Sequence, residues 1–377
     1  MANNLHTLYG TPLSLYTGKA RSYLIKNGLH YQELTPTTPH FRDRVRPHAG
    51  GQSIPIIETA EGQVIRDSTA IIDHFEALGG GLAMPVGPKK RFLARLFDVI
   101  GSEGLLRPAM HYRWNYPGQN LAFLAFHFQS MVPPDRDRVA LAEKTMQRMR
   151  NAGQAFGAVD STFALVEDLY AGFLNLFNQH LQAVPYVLGG LPSIADYGMM
   201  APMYAHLGRD PMPLGMMQQQ AIQVFRWVER MNRPELDTGE FPVQDPDFLA
   251  ANSLANDEVP ATLINLLRHI AKDLVPETVA AAAVINHWLD EQIPLSLAVV
   301  ERSVGFCQFS VEGQSVSAMA QPYRFYLLAR AQQEYNDLAP AEQALVRELT
   351  DTCGLTPLLT TTLSREISRH KNQEVWL

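Results

Sequence analysis

Short strand-like and helix-like segments alternate over residues 1–82, and this alternation constrains the fold more than any other feature of the sequence. Residues 5–9 predict a strand, 18–27 a helix and 29–34 a second strand. Residues 35–51 are rich in Pro, His and Arg and predict an irregular loop. This order is typical of an α/β unit in which a helix connects two parallel strands.

The second half of this region predicts a hairpin followed by a helix. Two short apolar runs, 54–58 and 63–65, flank a Gly-containing turn, which is a hairpin signal. Asp67 and Ser68 are residues that favour a helix N-terminus, and the apolar pattern behind them continues to the triple glycine 79–81.

A helical period dominates the chain beyond a Gly- and Pro-rich linker at 79–88. Residues 89–234 therefore predict an all-α domain. Its clearest helix begins at a capping box formed by Ser193 and Asp196. A second break in the pattern near residue 234 leaves an extension, 235–377, which we expect to be mostly helical and packed on the helical domain. The expected elements of the extension are helices over 260–274, 276–291, 323–335 and 340–352 and a hairpin over 307–318.

Composition excludes several classes of function. The net charge of −7, with only 18% charged residues, provides no basic surface for nucleic acid. No apolar run is long enough for a membrane span, and the N-terminus lacks the pattern of a signal peptide, so we expect a cytoplasmic protein. The two cysteines form no C-x-x-C pair and the histidines have no metal-ligand spacing, so neither dithiol chemistry nor a metal is expected. The basic residues in 365–371 are interpreted as a solvent-exposed face, and docking against the first domain is the alternative.

Three motifs in this order resemble the glutathione transferases over residues 5–233. The first is Leu8-Tyr9 with Ser14 and Lys19-Ala20-Arg21, the second is 53–57 followed by 67–69, and the third is the capping box. The resemblance implies a thioredoxin-like α/β domain, an all-α second domain and, in this chain, a mostly helical C-terminal extension.

The second motif is where the resemblance places glutathione. Asp67 and Ser68 at a helix N-terminus offer backbone amides and a positive dipole end to the γ-glutamyl carboxylate, and the Asp67 side chain is suited to the ammonium group. Ile54 precedes a proline and is driven to an extended conformation, so its backbone can pair with the cysteinyl part. In the family this peptide bond is cis, so we expect a cis bond between Ile54 and Pro55.

The glycyl end of glutathione is assigned to the loop before this proline. Gln52 and Ser53 are the expected contacts, with Arg42 or His48 as further alternatives.

Ser14 matches the catalytic position of the serine-type, theta- and zeta-like classes and is the first candidate to stabilise the glutathione thiolate. A hydroxyl donor at a helix N-terminus assists ionisation of a thiol. Leu15 stands where the family often has proline, so Tyr9, Tyr16 and Thr17 remain alternatives.

The region after the first long helix of the second domain is where the family binds its hydrophobic co-substrate. Met110, Tyr112 and Trp114 are therefore candidate lining residues, although such an aromatic run is more often core packing. The resemblance implies a glutathione-dependent transferase acting on an apolar electrophile, as in detoxification, and a homodimer. The alternative is a non-catalytic binding or scaffold protein in which the extension covers the site.

Overall fold

The computed structural model describes residues 5–253, 255–292 and 296–377. Residues 1–4, on which the expected lack of a signal peptide depends, lie outside the described residues. The N-terminal part contains β1 (His6–Tyr9), α1 (Leu15–Lys26), β2 (Tyr31–Leu34), β3 (Ile56–Glu58), β4 (Val64–Arg66) and α2 (Ser68–Gly79). α1 begins at Leu15 rather than at the predicted Gly18, because Ser14 caps it.

The four strands form one sheet in the order β2-β1-β3-β4. β1 and β2 are parallel, whereas β3 pairs antiparallel with both β1 and β4, so the predicted α/β unit and the predicted hairpin are confirmed. Leu8, Ile57 and Ile65 on the sheet pack with Leu24 of α1 and Ile72 of α2 in the main core. This is a thioredoxin-like domain.

The middle of the chain is helical, as predicted. Its helices are α3 (Pro88–Val99), α4 (Leu106–Trp114), α5 (Pro117–Ser130), α6 (Arg138–Ala155), α7 (Phe163–His180), α8 (Ile194–Ala205), α9 (Pro211–Gln220) and α10 (Ile222–Met231). The capping box at α8 is confirmed, since the Asp196 carboxylate accepts from the Ser193 N–H at 2.9 Å. The same buried carboxylate accepts from the Val187 N–H and the Trp227 indole, so the cap also organises the surrounding core.

The extension is mostly helical and adds two small hairpins. Its elements are α11 (Pro246–Ala251), α12 (Ala261–Asp290), β5 (Phe306–Val311), β6 (Gln314–Met319), α13 (Tyr323–Asn336), α14 (Pro340–Cys353), α15 (Pro357–Thr360), β7 (Ile367–His370) and β8 (Gln373–Trp376). The sequence analysis predicted β5 and β6 but not the β7–β8 hairpin. The extension packs on the helical part through α12 against α7 and α13 against α3. The division into domains at residues 82, 89 and 234 stays a prediction.

The prediction of separate helices over 260–274 and 276–291 is wrong. Pro276 lies inside the single helix α12. A proline removes one backbone hydrogen bond and usually bends or ends a helix. Here both halves bury apolar residues in the same core, with Leu267 and Leu274 before the proline and Ile285 after it, so packing maintains the helix.

Two groups of buried charges join these parts. The first, the lysine pair, is the salt bridge between Lys19 of α1 and Asp98 of α3. The second, the arginine cluster, comprises Arg107 of α4, Asp273 and Glu277 of α12, and Arg324 of α13. None of the helices in the described ranges is both long and apolar enough to span a membrane.

Candidate active site

The loop after β1 carries Ser14. Ser14 is half-buried, and its hydroxyl accepts a hydrogen bond from the Thr17 backbone N–H at 3.2 Å. Arg113 of α4 holds this loop, because its guanidinium donates to the Leu13 carbonyl at 3.0 Å and forms a buried ion pair with Asp210 at 2.6 Å. The sequence analysis missed Arg113, since its partners lie 100 and 97 residues away along the chain.

The three alternatives to Ser14 are committed elsewhere or buried. The Tyr9 hydroxyl faces Glu58 at 3.3 Å, and burial together with that carboxylate raises the pKa of Tyr9 to about 12. The Tyr16 hydroxyl donates to Glu103 at 3.1 Å, and burial and this neighbour raise the pKa of Tyr16 well above its ordinary value. Thr17 is buried and its hydroxyl has no hydrogen-bond partner within the described part of the chain. Ser14 is half-buried and stays the first candidate of the four.

Sheet register brings the other segments of the predicted site to the end of the sheet from which the loop to Ser14 leaves. Tyr9, the last residue of β1, pairs with Ile56, the first residue of β3, and Ile56 pairs with Arg66 at the end of β4. The loop to Ser14, the segment before Ile56 and the start of α2 therefore leave the sheet at one end. The Asp67 N–H donates to the Pro55 carbonyl at 3.0 Å and links the last two.

The peptide bond between Ile54 and Pro55 is cis, as predicted. Within the described residues neither the N–H nor the C=O of Ile54 makes a backbone hydrogen bond. Gln52 and Ser53 are exposed, and the Ser53 hydroxyl accepts from Arg66 at 2.7 Å. The half-buried Ile54 thus presents backbone groups that an extended peptide can pair with.

The two alternatives for the glycyl end lie on an exposed segment. Arg42 forms a salt bridge with its neighbour Asp43 at 2.7 Å, and His48 is exposed. The structure gives neither residue a contact with Gln52 or Ser53.

Asp67 caps α2, which confirms the predicted helix start. One carboxylate oxygen accepts from the N–H groups of Thr69 at 2.9 Å and Ala70 at 3.1 Å. Asp67 adopts a positive φ of 86°, which is uncommon for a residue other than glycine. Ser68 is fully buried, and its hydroxyl finds no partner among the described residues. A buried hydroxyl without a partner is unusual in a folded protein.

Two side chains of the extension reach this helix N-terminus. The Tyr323 hydroxyl donates to the second carboxylate oxygen of Asp67 at 2.8 Å, and burial and that carboxylate raise the pKa of Tyr323 well above its ordinary value. Arg369 donates to the Arg66 carbonyl at 2.8 Å, and its guanidinium lies 3.8 Å from Asp67. The interpretation of Arg369 as part of a solvent-exposed face is therefore wrong.

The predicted co-substrate residues are all buried. Met110 and Trp114 belong to a cluster that packs beside Leu13 and Leu15, whereas Tyr112 faces the main core and stacks on Tyr116. The other members of the first cluster are Leu106, Leu124, Phe128, Ala142, Met146 and Phe156. The three candidates therefore do not share one surface, because α4 divides them between two packed clusters.

Both cysteines, Cys307 and Cys353, are buried and free. Burial raises the pKa of each thiol, which favours the unreactive protonated form. In the part of the chain that the structure describes, no group of three or more His, Cys, Asp or Glu side chains is placed to hold a metal ion.

Comparison with known proteins agrees with the N-terminal fold. A family model of the glutathione S-transferase N-terminal domain matches residues 8–82. Glutathione transferase GSTFuA3 from Phanerochaete chrysosporium is 14% identical, with 61% of this chain and 97% of that chain covered and a TM-score of 0.44. FzlA from C. crescentus is 18% identical, with coverages of 69% and 98% and a TM-score of 0.38. The beta-etherase LigF from Sphingobium sp. strain SYK-6 is 17% identical, with coverages of 63% and 97% and a TM-score of 0.39. No curated protein sequence matches.

The four-stranded sheet, the cis proline before β3 and the capped helix α2 all lie in the segment that the family model matches. Residues 8–82 are therefore similar, in sequence pattern and in fold, to the N-terminal domain of glutathione S-transferases.

Proposed function

We propose that the chain binds glutathione and transfers it to an apolar electrophilic small molecule. One observation supports this proposal above the others: sheet register gathers Ser14, the unpaired backbone of Ile54 and the N-terminus of α2 at one edge of the sheet. A thiol tripeptide needs a donor for its sulfur, an extended edge for its backbone and amides for its carboxylate. These segments offer all three.

Ser14 is the proposed donor to the glutathione sulfur. A free thiol has a pKa of about 8.5 and is mostly protonated at neutral pH, whereas the thiolate is the nucleophile. A hydroxyl donor and the positive end of α1 both favour the thiolate, and binding beside the electrophile supplies proximity. The glycyl end of glutathione is proposed to meet Gln52 and Ser53. The electrophile is proposed to meet Met110, Tyr112 and Trp114 only if the two packed clusters around α4 open.

Titration calorimetry with glutathione tests this proposal, with the ultraviolet absorbance of the bound thiolate followed in parallel. Ser14→Ala is expected to bind glutathione with little change in affinity and to raise the pKa of the bound thiol by about one to two units, since a hydrogen bond to a charged group contributes roughly 1.5–3 kcal/mol. Ser193→Ala is the matched control, because Ser193 also caps a helix but lies away from the site.

A thiolate signal in Ser14→Ala equal to that of the wild type would remove Ser14 from its role. Absence of glutathione binding in every variant, including those designed below to open the site, would contradict the proposal as a whole.

The proposal includes two properties that come from the resemblance to the superfamily, a two-fold homodimer and a cytoplasmic location. Light scattering of the purified chain checks the first. A monomer would be explained by the extension, which ordinary two-domain members lack.

A second candidate function is favoured by a specific contact. The Tyr323 hydroxyl engages the Asp67 carboxylate that the proposal assigns to the ligand. In a non-catalytic binding or scaffold protein this contact would be permanent. Retention on immobilised glutathione without turnover of any electrophile would favour this candidate over the transferase.

A further inference from the structure

Both carboxylate oxygens of Asp67 accept hydrogen bonds from the protein itself. One oxygen accepts from two backbone N–H groups of α2, and the other accepts from Tyr323. Ser68 and Thr69, the first residues of α2, are 0% and 2% exposed. Tyr323 and Arg369 of the extension therefore stand at the helix N-terminus that would receive the γ-glutamyl group.

The β7–β8 hairpin adds a second layer of contacts at the same place. Arg369 places a positive charge 3.8 Å from Asp67, where the ammonium group of a γ-glutamyl ligand would find its counter-charge. Glu374 from the other strand forms salt bridges with both Arg369 and Arg66, the latter at 2.8 Å. The hairpin thus brings the cation Arg369 and the anion Glu374 to this region. The γ-glutamyl group would itself bring one cation, its ammonium, and one anion, its carboxylate.

The turn of the hairpin is anchored to the N-terminal domain. The Asn372 side chain donates to the carbonyls of His48 at 3.0 Å and Val64 at 2.8 Å, and its own carbonyl accepts from Arg66 at 2.8 Å. A Cβ atom at Gly50 would lie 2.6 Å from the Lys371 carbonyl, so only glycine permits this approach without a shift. Gly50 in the N-terminal domain and Asn372 in the hairpin turn thus both permit the hairpin to pack closely on this domain.

The helix that carries Tyr323 is part of the core. Phe325, Leu327 and Leu328 on α13 are buried, and Arg324 belongs to the arginine cluster. Tyr323 is therefore held at a fixed place beside Asp67, because the helix that carries it is packed in the core. Opening the subsite requires the Tyr323 and Arg369 side chains to leave Asp67, while α13 stays packed.

The covered subsite is incompletely satisfied. The Ser68 hydroxyl is buried without a partner among the described residues, although Tyr323 satisfies the neighbouring carboxylate. A carboxylate ligand could accept from this hydroxyl, whereas the extension supplies no acceptor for it. The extension thus replaces only part of what a γ-glutamyl group would bind.

We propose that Tyr323 and Arg369 act as an internal competitor for the γ-glutamyl group of glutathione, so that the extension regulates access to this subsite. This inference rests on the proposed function. It assigns the competition to one end of the ligand, since within the described residues neither the backbone of Ile54 nor the hydroxyl of Ser14 is hydrogen-bonded to Tyr323 or Arg369.

Two ligands separate this competition from a general change in affinity. Glutathione carries the γ-glutamyl group, and cysteinylglycine is the same molecule without it. The full-length protein is titrated with each ligand by calorimetry. In the wild type the two ligands are expected to bind with affinities within about threefold of one another, because the subsite that distinguishes them is covered.

Variants at the competitor should then act on glutathione alone. Tyr323→Ala is expected to raise the affinity for glutathione by about tenfold, since it removes a hydrogen bond to a charged group, and to leave the affinity for cysteinylglycine unchanged. Tyr323→Phe keeps the ring and should give a smaller gain, and Arg369→Gln should act in the same direction. Tyr326→Phe is the matched control, because this neighbouring tyrosine packs against Tyr323 and lies on the same helix.

The outcomes distinguish a failure of the competition from a failure of glutathione binding. Equal gains for both ligands, or unchanged glutathione affinity in the double variant Tyr323→Ala/Arg369→Gln with an unchanged melting temperature, would overturn the competition while leaving glutathione binding in place. Should the double variant lose stability, Tyr323→Phe carries the test. If neither glutathione nor cysteinylglycine binds to any folded variant, the proposed function is overturned, and this inference with it.

Discussion

The two groups of buried charges differ in how many charged side chains they contain and in which parts of the molecule they join. In the lysine pair, one ammonium meets one carboxylate, and the hydroxyls of Thr69 at 2.7 Å and Ser102 at 3.4 Å complete the ammonium's hydrogen bonds. In the arginine cluster two guanidinium groups share Glu277, at 2.9 Å and 3.0 Å. The first joins the N-terminal domain to the helical part, and the second joins the helical part to the extension.

The arginine cluster shows how the extension is attached to the helical part. The side chains of Arg107, Glu277 and Arg324 are 3%, 8% and 4% exposed, so the extension is attached by charges that are out of water. Removing one partner of a buried ion pair is strongly destabilising because the other charge stays buried. The extension is thus joined to the helical part by buried ion pairs, as the N-terminal domain is.

The largest effect is expected at the shared acid of the arginine cluster. Glu277→Gln leaves Arg107 and Arg324 without their common counter-charge and should lower the free energy of unfolding by about 3–5 kcal/mol. Urea denaturation measures it, with Glu348→Gln, on the exposed face of α14, as the control. A loss below about 1 kcal/mol would show that the extension does not depend on the cluster.

The lysine pair should be less costly to break and easier to replace. Lys19→Met leaves Asp98 buried beside Ser102, and a loss of about 3 kcal/mol is expected. The double variant Lys19→Met/Asp98→Leu removes both charges and should recover part of that loss. If the double variant is as unstable as the sum of the two single changes, the pair does not act as a unit.

The sequence predicts those features of the site that depend on neighbouring residues. The helix start at Asp67, the capping box at Ser193 and the hairpin around residue 61 follow from local residue preferences, and all three are confirmed. The cis bond at Pro55 followed from the resemblance and is also confirmed.

The features that the sequence analysis missed depend on residues far apart in the chain. Tyr323 and Asp67 are separated by 256 residues, and neither residue's surroundings in the sequence indicate the other. The β7–β8 hairpin is short and polar, so it shows little of the alternation that predicts a strand. The break predicted at Pro276 is wrong because local preference favours the end of a helix there, whereas burial on both sides of the proline maintains α12.

A pH effect is expected where the arginine cluster approaches the N-terminal domain. Glu103 lies between Tyr16 of α1 and Arg324 of α13, and Glu277 and Arg302 are also near. Burial raises the pKa of Glu103 from 4.5 to about 7, although Arg324 and the Tyr16 hydroxyl favour its charged form. The folded protein therefore holds this proton more tightly than the unfolded chain.

The sign of the pH dependence follows from that difference. A raised folded-state pKa contributes stability that is fully present below pH 4.5 and is lost as the pH rises through about 7. Glu103→Gln should flatten this part of the profile, by about 3 kcal/mol between the two limits. Denaturation curves at a series of pH values measure the effect. An unchanged slope would mean that Glu103 does not titrate in this range.

The smallest effect is expected at an ion pair in the same interface that is open to water. Arg91 of α3 contacts Glu334 of α13 at 2.6 Å, but the Arg91 side chain is 42% exposed and Glu334 keeps a second partner in Arg95. Exposed pairs contribute little and are screened by salt, so Arg91→Ala should cost less than about 0.5 kcal/mol. Denaturation at low and high salt checks this, since the small cost should vanish at high salt. A cost close to that of Glu277→Gln would mean that the number of ion pairs, and not their burial, holds the extension in place, and the fixed position of Tyr323 beside Asp67 would then itself depend on ionic strength.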